Sequence, residues 1–392
     1  MKIVDLCEFY SSRGGGVRSY LTRMAHAASA AGHEFVVVAP GARDEETNGP
    51  DGRVLHYAGP KMPYDATYHA PLRIDRMREL VERERPDVLQ VSSPFLPAWV
   101  AARMADLPLR AYVHHSDPIG CYLRPFAERH LPSALREPLL APAWSWLRRV
   151  TRSMDVTVTA GAWLRDSLRA HGCERVETVP FGIVHESFGP ERCSEVVRAQ
   201  LLGRYRDDPD ARVLMVTGRL AVDKRQHLLL EAARELARER PIALLVVGDG
   251  PERERLQRQS ASLAQVTFLP FVHDRAEYAA MLASVDLLLH ASRCETFGFV
   301  IAETLCSGTP VVVPDAGASP HMVSQACAEV YPADATPARI ATAVRRVLAL
   351  DREQVRRAAV AEAQRHPSVA QHFGELFALY EGLLGKRARH AA

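Results

Sequence analysis

Residues 285–314 read VDLLLHASRCETFGFVIAETLCSGTPVVVP, and this run constrains the fold more than any other part of the chain. Val285–His290 is unbroken apolar sequence of strand length, which marks a strand covered on both faces. A loop follows, then a helix starting near Phe299, then a second buried strand at Thr309–Val313. Two carboxylates sit at the hinge. Glu295 is on the loop, and Glu303, eight positions on, falls in the first turns of the helix. Between them Thr296-Phe297-Gly298-Phe299 carries a glycine that lets backbone come close to a ligand. The N–H groups and positive dipole end of the helix suit an anion such as a phosphate. An acid near that anion and another further inside suit a sugar nucleotide, because ribose and hexose hydroxyls both donate to carboxylates. The plainer alternative makes Glu303 a solvated helix acid and Glu295 an acid favoured by the helix dipole.

Glu295-x7-Glu303 within ETFGFVIAE, followed by Ser307-Gly308-Thr309-Pro310-Val311-Val312, resembles the signature of the family 4 retaining glycosyltransferases of GT-B fold. The resemblance implies an α/β chain with two Rossmann-like domains facing across a cleft and a C-terminal helix packing back on the first. It also implies a nucleoside-diphosphate sugar as donor substrate, with no separate cofactor and no metal.

At 392 residues the chain can bury more than one core. A net charge of +2 gives no electrostatic case for nucleic acid. The 49 basic residues include four lysines, of which Lys224 alone lies between positions 62 and 385. Seven cysteines without a CxxC pair favour a reduced compartment over a disulfide framework. With neither a signal peptide nor an apolar run of about 18 residues, the expectation is a cytoplasmic protein.

In the first half, Lys2–Leu6 is a strand, and Gly14-Gly15-Gly16 opens a helix to about Ala31, followed by a strand at Glu34–Ala39. This is a parallel βαβ start. It lacks the third glycine of a dinucleotide fingerprint and the acid that should end the second strand. The family reading instead turns this glycine loop, Gly15 and Gly16 included, toward the donor and acceptor; a flexible surface turn is the alternative. Strands near 54–58, 86–91 and 109–115 follow, the last ending in His114-His115-Ser116-Asp117. Ligands of open parallel sheets bind at the carboxyl ends of strands. The family places a histidine there beside the transferred sugar, and His115 suits that position better than His114. The alternative has both histidines simply ending a strand.

From Cys121 to Met154 the pattern is helical, broken by Pro125, Pro132, Pro138 and Pro142. Aromatics interleaved with arginines there suit either a membrane-surface face, peripheral on the inner leaflet, or a helix packed on its own sheet with a solvated basic side. After strands at Val156–Thr159 and Val176–Pro180, residues 180–190 read as an interdomain linker.

The second half opens with the strand Val213–Thr217, ending in Gly218-Arg219-Leu220 with Lys224 five residues past Arg219. This matches the family's G-R-L…K motif. A departing nucleoside diphosphate gains negative charge, which two aimed cations can take up. The alternative is a solvent-facing helix start. Next come Ala243–Val247 with Gly248-Asp249-Gly250-Pro251, and a strand Val266–Val272. The resemblance sets Gly248 and Val272 beside the nucleotide. Ala328–Tyr331 and helices near 337–349, 352–364 and 369–384 close the chain.

The expected organisation is an acceptor-side domain at 1–185, a nucleotide-sugar domain at 190–370, and a crossing helix with basic tail at 371–392. The expected function is hexosyl transfer from a UDP- or GDP-linked sugar to a hydroxyl of a glycan, lipid or small molecule, with retention. A sugar-nucleotide epimerase or hydrolase of the same fold is the alternative, and a silent binding protein a further one. By the resemblance, Arg219 and Lys224 hold the diphosphate with the Phe297 and Gly298 N–H groups, and Gly218 and Phe299 stand beside it. Glu303 takes the ribose, Glu295 the sugar hydroxyls, and His115 orients the sugar. Loss of Arg219 or Lys224 is expected to cripple transfer and leave thermal unfolding nearly unchanged.

Overall fold

The computed structural model describes residues 1–10, 16–49, 52–62 and 67–391. It divides into two compact units. The first comprises Met1–Ile119, Leu123–Gly182 and Val369–Ala392; the second comprises Gly120–Tyr122 and Ile183–Ser368.

The first unit contains β1 (Lys2–Leu6), β2 (Glu34–Gly41), β3 (Glu45–Gly49), β4 (Gly52–Ala58), β5 (Val88–Val91), β6 (Leu109–His114), β7 (Val156–Thr159) and β8 (Val176–Thr178). They form one sheet in the order β3-β4-β2-β1-β5-β6-β7-β8. Neighbours are parallel, with Val4 opposite Val36 on one side and Leu89 on the other, except for the antiparallel pair β3–β4. Burial on both faces explains the unbroken apolar runs: Val36, Val37, Val38, Val88 and Leu89 are each within 1 % of full burial. The edge strand β3, EETNG, is exposed and polar, and nothing in its sequence announces a strand.

The C-terminal helix Val369–Ala391 belongs to this unit and buries Phe373, Leu376, Phe377 and Tyr380. At its far end Arg387 donates to the Pro108 carbonyl at 2.8 Å and pairs with Asp155 at 3.2 Å.

The second unit contains β9 (Arg212–Thr217), β10 (Ile242–Val247), β11 (Val266–Leu269), β12 (Leu287–Leu289), β13 (Val311–Pro314) and β14 (Ala328–Tyr331). The order is β11-β10-β9-β12-β13-β14, with every pairing parallel. One core runs through Leu214, Val216, Leu244, Leu287 and Val312.

The expected strand at Val285–His290 is shorter than its apolar run, and β11 stops three residues before Val272. The helical stretch after Cys121 is also less broken than its prolines suggest. Pro125 sits in the first turn of the helix Arg124–His130 and Pro132 caps the helix Ser133–Ser153, while Pro138 and Pro142 lie inside it. Their spacing of four puts the lost hydrogen bonds on one exposed face, where water serves the freed carbonyls. The opposite face buries Leu140, Trp144, Leu147 and Val150.

Candidate active site

In an open parallel sheet a ligand binds where the strand order reverses, outside the carboxyl ends of the two strands that diverge. In the second unit those strands are β9 and β12. Gly218 and Arg219 follow β9, and His290 and Glu295 follow β12.

Behind them two glycine loops pack against each other. Gly248 follows β10 at φ +137°, and a Cβ there would lie 2.1 Å from the Gly218 carbonyl oxygen. Gly250, at φ +154°, would strike the Leu220 oxygen at 2.2 Å. Leu220 N–H donates to the Asp249 carbonyl at 2.8 Å, and Glu252 N–H to that of Leu220 at 3.0 Å. The GRL and GDGP motifs are thus a matched pair, and the second holds the first in place. Gly218 has open space beyond its Cβ position but adopts φ +123°.

Lys224 ends a short turn, Val222–Lys224, and its ammonium forms an ion pair with Glu295. His290 Nε2 stands 3.4 Å from the same carboxylate oxygen. Burial alone would raise the Glu295 pKa, but Lys224 and then His290 outweigh it and hold the carboxylate well below its usual range. Burial would likewise lower Lys224, and Glu295 reverses that and raises it. Both groups are therefore charged at neutral pH. The backbone of Glu295 is fixed as well: its carbonyl accepts from Ala318 N–H at 2.8 Å, and a Cβ on Gly317 would lie 2.7 Å from that oxygen.

Gly298, in the left-handed region at φ +94°, starts the helix Phe299–Cys306, and no side chain caps it. Phe297 is buried and its ring lies 4.8 Å from that of Phe299. Glu303 is buried and accepts from Arg275 at 2.8 Å. The Arg275 guanidinium also lies over the Phe188 and Tyr278 rings, at 4.8 and 5.8 Å. The solvated-acid alternative for Glu303 is thereby removed. Arg219 is half-exposed and pairs with Asp223 at 3.1 Å. Val272 lies in the loop between β11 and the helix Arg275–Ser284.

In the first unit the order reverses between β1 and β5. His115 directly follows the neighbouring β6. Its Nε2 is 3.1 Å from Ser92 Oγ, and the edge of the Tyr20 ring packs on it at 4.7 Å. Burial and then the adjacent His114 push its pKa down to about 3, so the ring is neutral. His114 points into the sheet, fully buried, with Nδ1 2.5 Å from Tyr112 Oη. Gly16 begins the helix Gly16–Ala30 with nothing near its Cβ position, and Gly15 lies outside the described residues.

Residues 211–350 match the family model for glycosyl transferases group 1, and residues 14–187 that for glycosyltransferase family 4. The chain belongs to the family 4 glycosyltransferases. This glycosyltransferase is 30% identical over 373 residues to a GDP-mannose-dependent alpha-(1-6)-phosphatidylinositol dimannoside mannosyltransferase of Mycobacterium tuberculosis, covering 93% of this chain and 92% of the relative. It is 28% identical, across the full length of both chains, to a GDP-mannose-dependent alpha-mannosyltransferase of Mycolicibacterium smegmatis. In structure it is similar to sucrose-phosphate synthase of Thermosynechococcus elongatus, with a TM-score of 0.76, 18% identity, and coverage of 98% and 100% of the two chains. The fold is GT-B.

Two residues of the site escaped the sequence reading. His290 ends an apolar run, and a polar residue at a strand's carboxyl end was the available signal. Arg275 gave none, because its contact with Glu303 spans 28 residues.

Proposed function

We propose that this glycosyltransferase moves a mannosyl residue from GDP-mannose to a hydroxyl of a lipid-linked acceptor, with retention at the anomeric carbon. The observation that carries the reading is the part-buried Lys224–Glu295 ion pair at the carboxyl ends of β9 and β12. The names of the two mannosyltransferase relatives supply the base and the sugar, and that of the Mycobacterium tuberculosis relative alone supplies the acceptor class.

One of the three Lys224 N–H donors is spent on Glu295, and the others suit a phosphate. Arg219 adds a planar fork to that point charge. The Phe297 and Gly298 N–H groups, at the start of the helix Phe299–Cys306, complete the diphosphate site, with Gly218, Gly248, Val272 and Phe299 as its walls. Glu303, its Oε1 held by Arg275, receives the ribose hydroxyls, and Glu295 those of the sugar. His115, Gly15 and Gly16 keep the roles that the family resemblance gives them, orienting the sugar and lining the donor site. As the anomeric carbon–phosphate oxygen bond breaks, the acceptor oxygen attacks the same face, and its proton passes to the departing phosphate. Arg219 and Lys224 meet the charge that develops there. No metal is assigned to that step, and activity unchanged by EDTA is part of the proposal. A lipid acceptor also implies contact with a bilayer, through the exposed Leu123, Phe126, Leu135 and Leu139 and the arginines among them.

A thermal-shift panel of GDP, UDP, ADP and their sugar conjugates tests the donor. GDP and GDP-mannose should give the largest shifts, since a ligand at 100 times its Kd adds about 2.7 kcal/mol. A larger shift with UDP or ADP would overturn the GDP assignment.

A further inference from the structure

At the opposite end of the second unit's sheet from the candidate active site lies a cavity of about 450 Å³, the size that holds a small organic ligand. It opens over the amino ends of three adjacent strands: Arg212 begins β9, Asp286 directly precedes β12 and Pro310 directly precedes β13. β9 is six residues long at about 3.3 Å each, so Arg212 stands roughly 20 Å from Gly218. The helices Glu195–Leu202 and Arg352–Ala363 supply further walls. A second cavity, of about 630 Å³, shares Glu195 and Arg352 with the first.

Six arginines and four carboxylates line the two cavities, and the carboxylates leave most of the guanidiniums uncompensated. Asp286 Oδ2 is spent on Arg198 Nη2 at 2.9 Å and on the Val213 N–H at 2.8 Å. Arg198 also donates to the Ser284 carbonyl at 3.1 Å, so this part-buried pair anchors the cavity. Asp208 accepts from the Asp210 N–H at 2.9 Å. Three other arginines keep donors unspent. Among the described residues Arg206 donates through Nε alone, to Asp207 at 3.2 Å. Arg212 donates through Nη1 alone, to the Pro209 and Ala211 carbonyls at 3.0 and 2.8 Å. Arg352 approaches Asp286 Oδ1 only to 3.8 Å, too far for a hydrogen bond.

The adjoining cavity gives a second, independent sign. Both Nη atoms of Arg356 donate to the Ala283 carbonyl at 3.2 Å, and Arg356 pairs with no carboxylate among the described residues. Burial pushes its pKa below the usual guanidinium value and Arg352 adds to that, beyond what Cys193, Glu353 and Asp286 restore. A cation held partly out of water beside another cation is stabilised by an anion. The rest of the first cavity is apolar, through Leu202, Pro310, Val347 and Leu348.

We propose that this cavity binds a phosphate dianion borne on a ring-bearing organic body, with Arg206, Arg212 and Arg352 on the phosphate and Leu202, Val347 and Leu348 against the body. A guanidinium fork matches two phosphate oxygens, and a dianion has charge and oxygens for more than one fork. The site is separate from the donor site and does not rest on the proposed reaction. A soluble phosphomonoester and the headgroup of a phosphorylated lipid both offer this chemistry.

The test is calorimetric titration of the full-length protein with phenyl phosphate and with inorganic phosphate. Both should bind saturably, phenyl phosphate the more tightly; no difference between them would contradict the apolar wall. Arg206 and Arg352 are exposed, so Arg206→Ala and Arg352→Ala should keep the wild-type melting transition. Each should weaken phenyl phosphate about tenfold or more, the loss of one charge-assisted contact. Arg219→Ala should bind it as the wild type does. Co-sedimentation with phosphatidylcholine vesicles, with and without phosphatidylinositol 4-phosphate, separates the two sources. Vesicle binding that needs the phosphorylated lipid and falls in Arg352→Ala, without a response to phenyl phosphate, assigns the site to a lipid headgroup. No saturable binding of either soluble probe below about 10 mM, together with no such vesicle binding, would overturn the proposal. So would binding that is unchanged in both Arg206→Ala and Arg352→Ala, or binding lost in Arg219→Ala, which would place the phosphate at the donor site.

Discussion

At the scale of single residues, Arg219 and Lys224 differ more than their motif suggests. Read from the sequence alone, each looked dispensable for stability. Arg219 is half-exposed, and its pair with Asp223 is of the surface kind that contributes little. Lys224 is different, because its removal leaves the part-buried Glu295 carboxylate with His290 alone beside it among the described residues. Breaking one side of a fully buried pair costs about 3 kcal/mol, which sets an upper bound for this part-buried one. Lys224→Ala should therefore lower the unfolding midpoint clearly, Arg219→Ala should barely move it, and Lys224→Met with Glu295→Gln should recover much of the loss. Equal midpoints for the two single variants would contradict this account of the pair. The roles of Glu295 and Glu303 could be framed from the sequence because their loop is short. Their partners could not, since Lys224 lies 71 residues from Glu295 and Arg275 lies 28 from Glu303.

Among elements, the buried strands were legible because parallel strands covered on both faces are apolar throughout, as in β10, β12 and β13. The polar edge strand β3 was not, since it is defined by its hairpin with β4 and by nothing apolar of its own. The glycines of GDGP suggested a turn. Their actual constraint, backbone against backbone at 2.1 and 2.2 Å, belongs to another loop and could not be read locally. In the helix Ser133–Ser153 the later turns pack on the sheet, as one reading of the stretch has it, while Leu135 and Leu139 stay exposed beside Arg136. If that end meets a bilayer, the protein should co-sediment with anionic phosphatidylinositol vesicles and less with neutral phosphatidylcholine ones. Phe126→Ser with Leu139→Ser should reduce the binding severalfold at unchanged secondary structure. Binding unaffected by the pair of changes would exclude this face.

For the whole molecule, acid is the revealing variable. All four tryptophans, Trp99, Trp144, Trp146 and Trp163, lie in the first unit, so their emission follows that unit alone. His114, His115 and His372 are held neutral there, chiefly by burial, with pKa values pushed down to about 4, 3 and 4. In the unfolded chain they titrate near 6.5. As pH falls below about 6.5 the unfolded state takes up protons that the folded state refuses, and stability present above that pH is lost toward pH 4. Asp5 and Glu8, both raised by burial, act in the opposite sense, and His56, lowered by burial, adds to the histidines. Four histidines against two carboxyls leave a net loss. The urea midpoint by tryptophan emission should thus be lower at pH 5 than at pH 7.5; an equal or higher value would contradict the neutral histidines.

The claim on which the mechanism depends is that the nucleoside diphosphate is held at β9 and β12 by Lys224 and Arg219. It is tested most directly by titrating GDP calorimetrically into the wild type, Arg219→Ala and the Lys224→Met/Glu295→Gln double variant, each checked for a folded melting transition. Loss of one charge-assisted contact at about 1.5–3 kcal/mol predicts roughly ten- to hundredfold weaker binding in each variant. Wild-type affinity in both folded variants would place the diphosphate elsewhere.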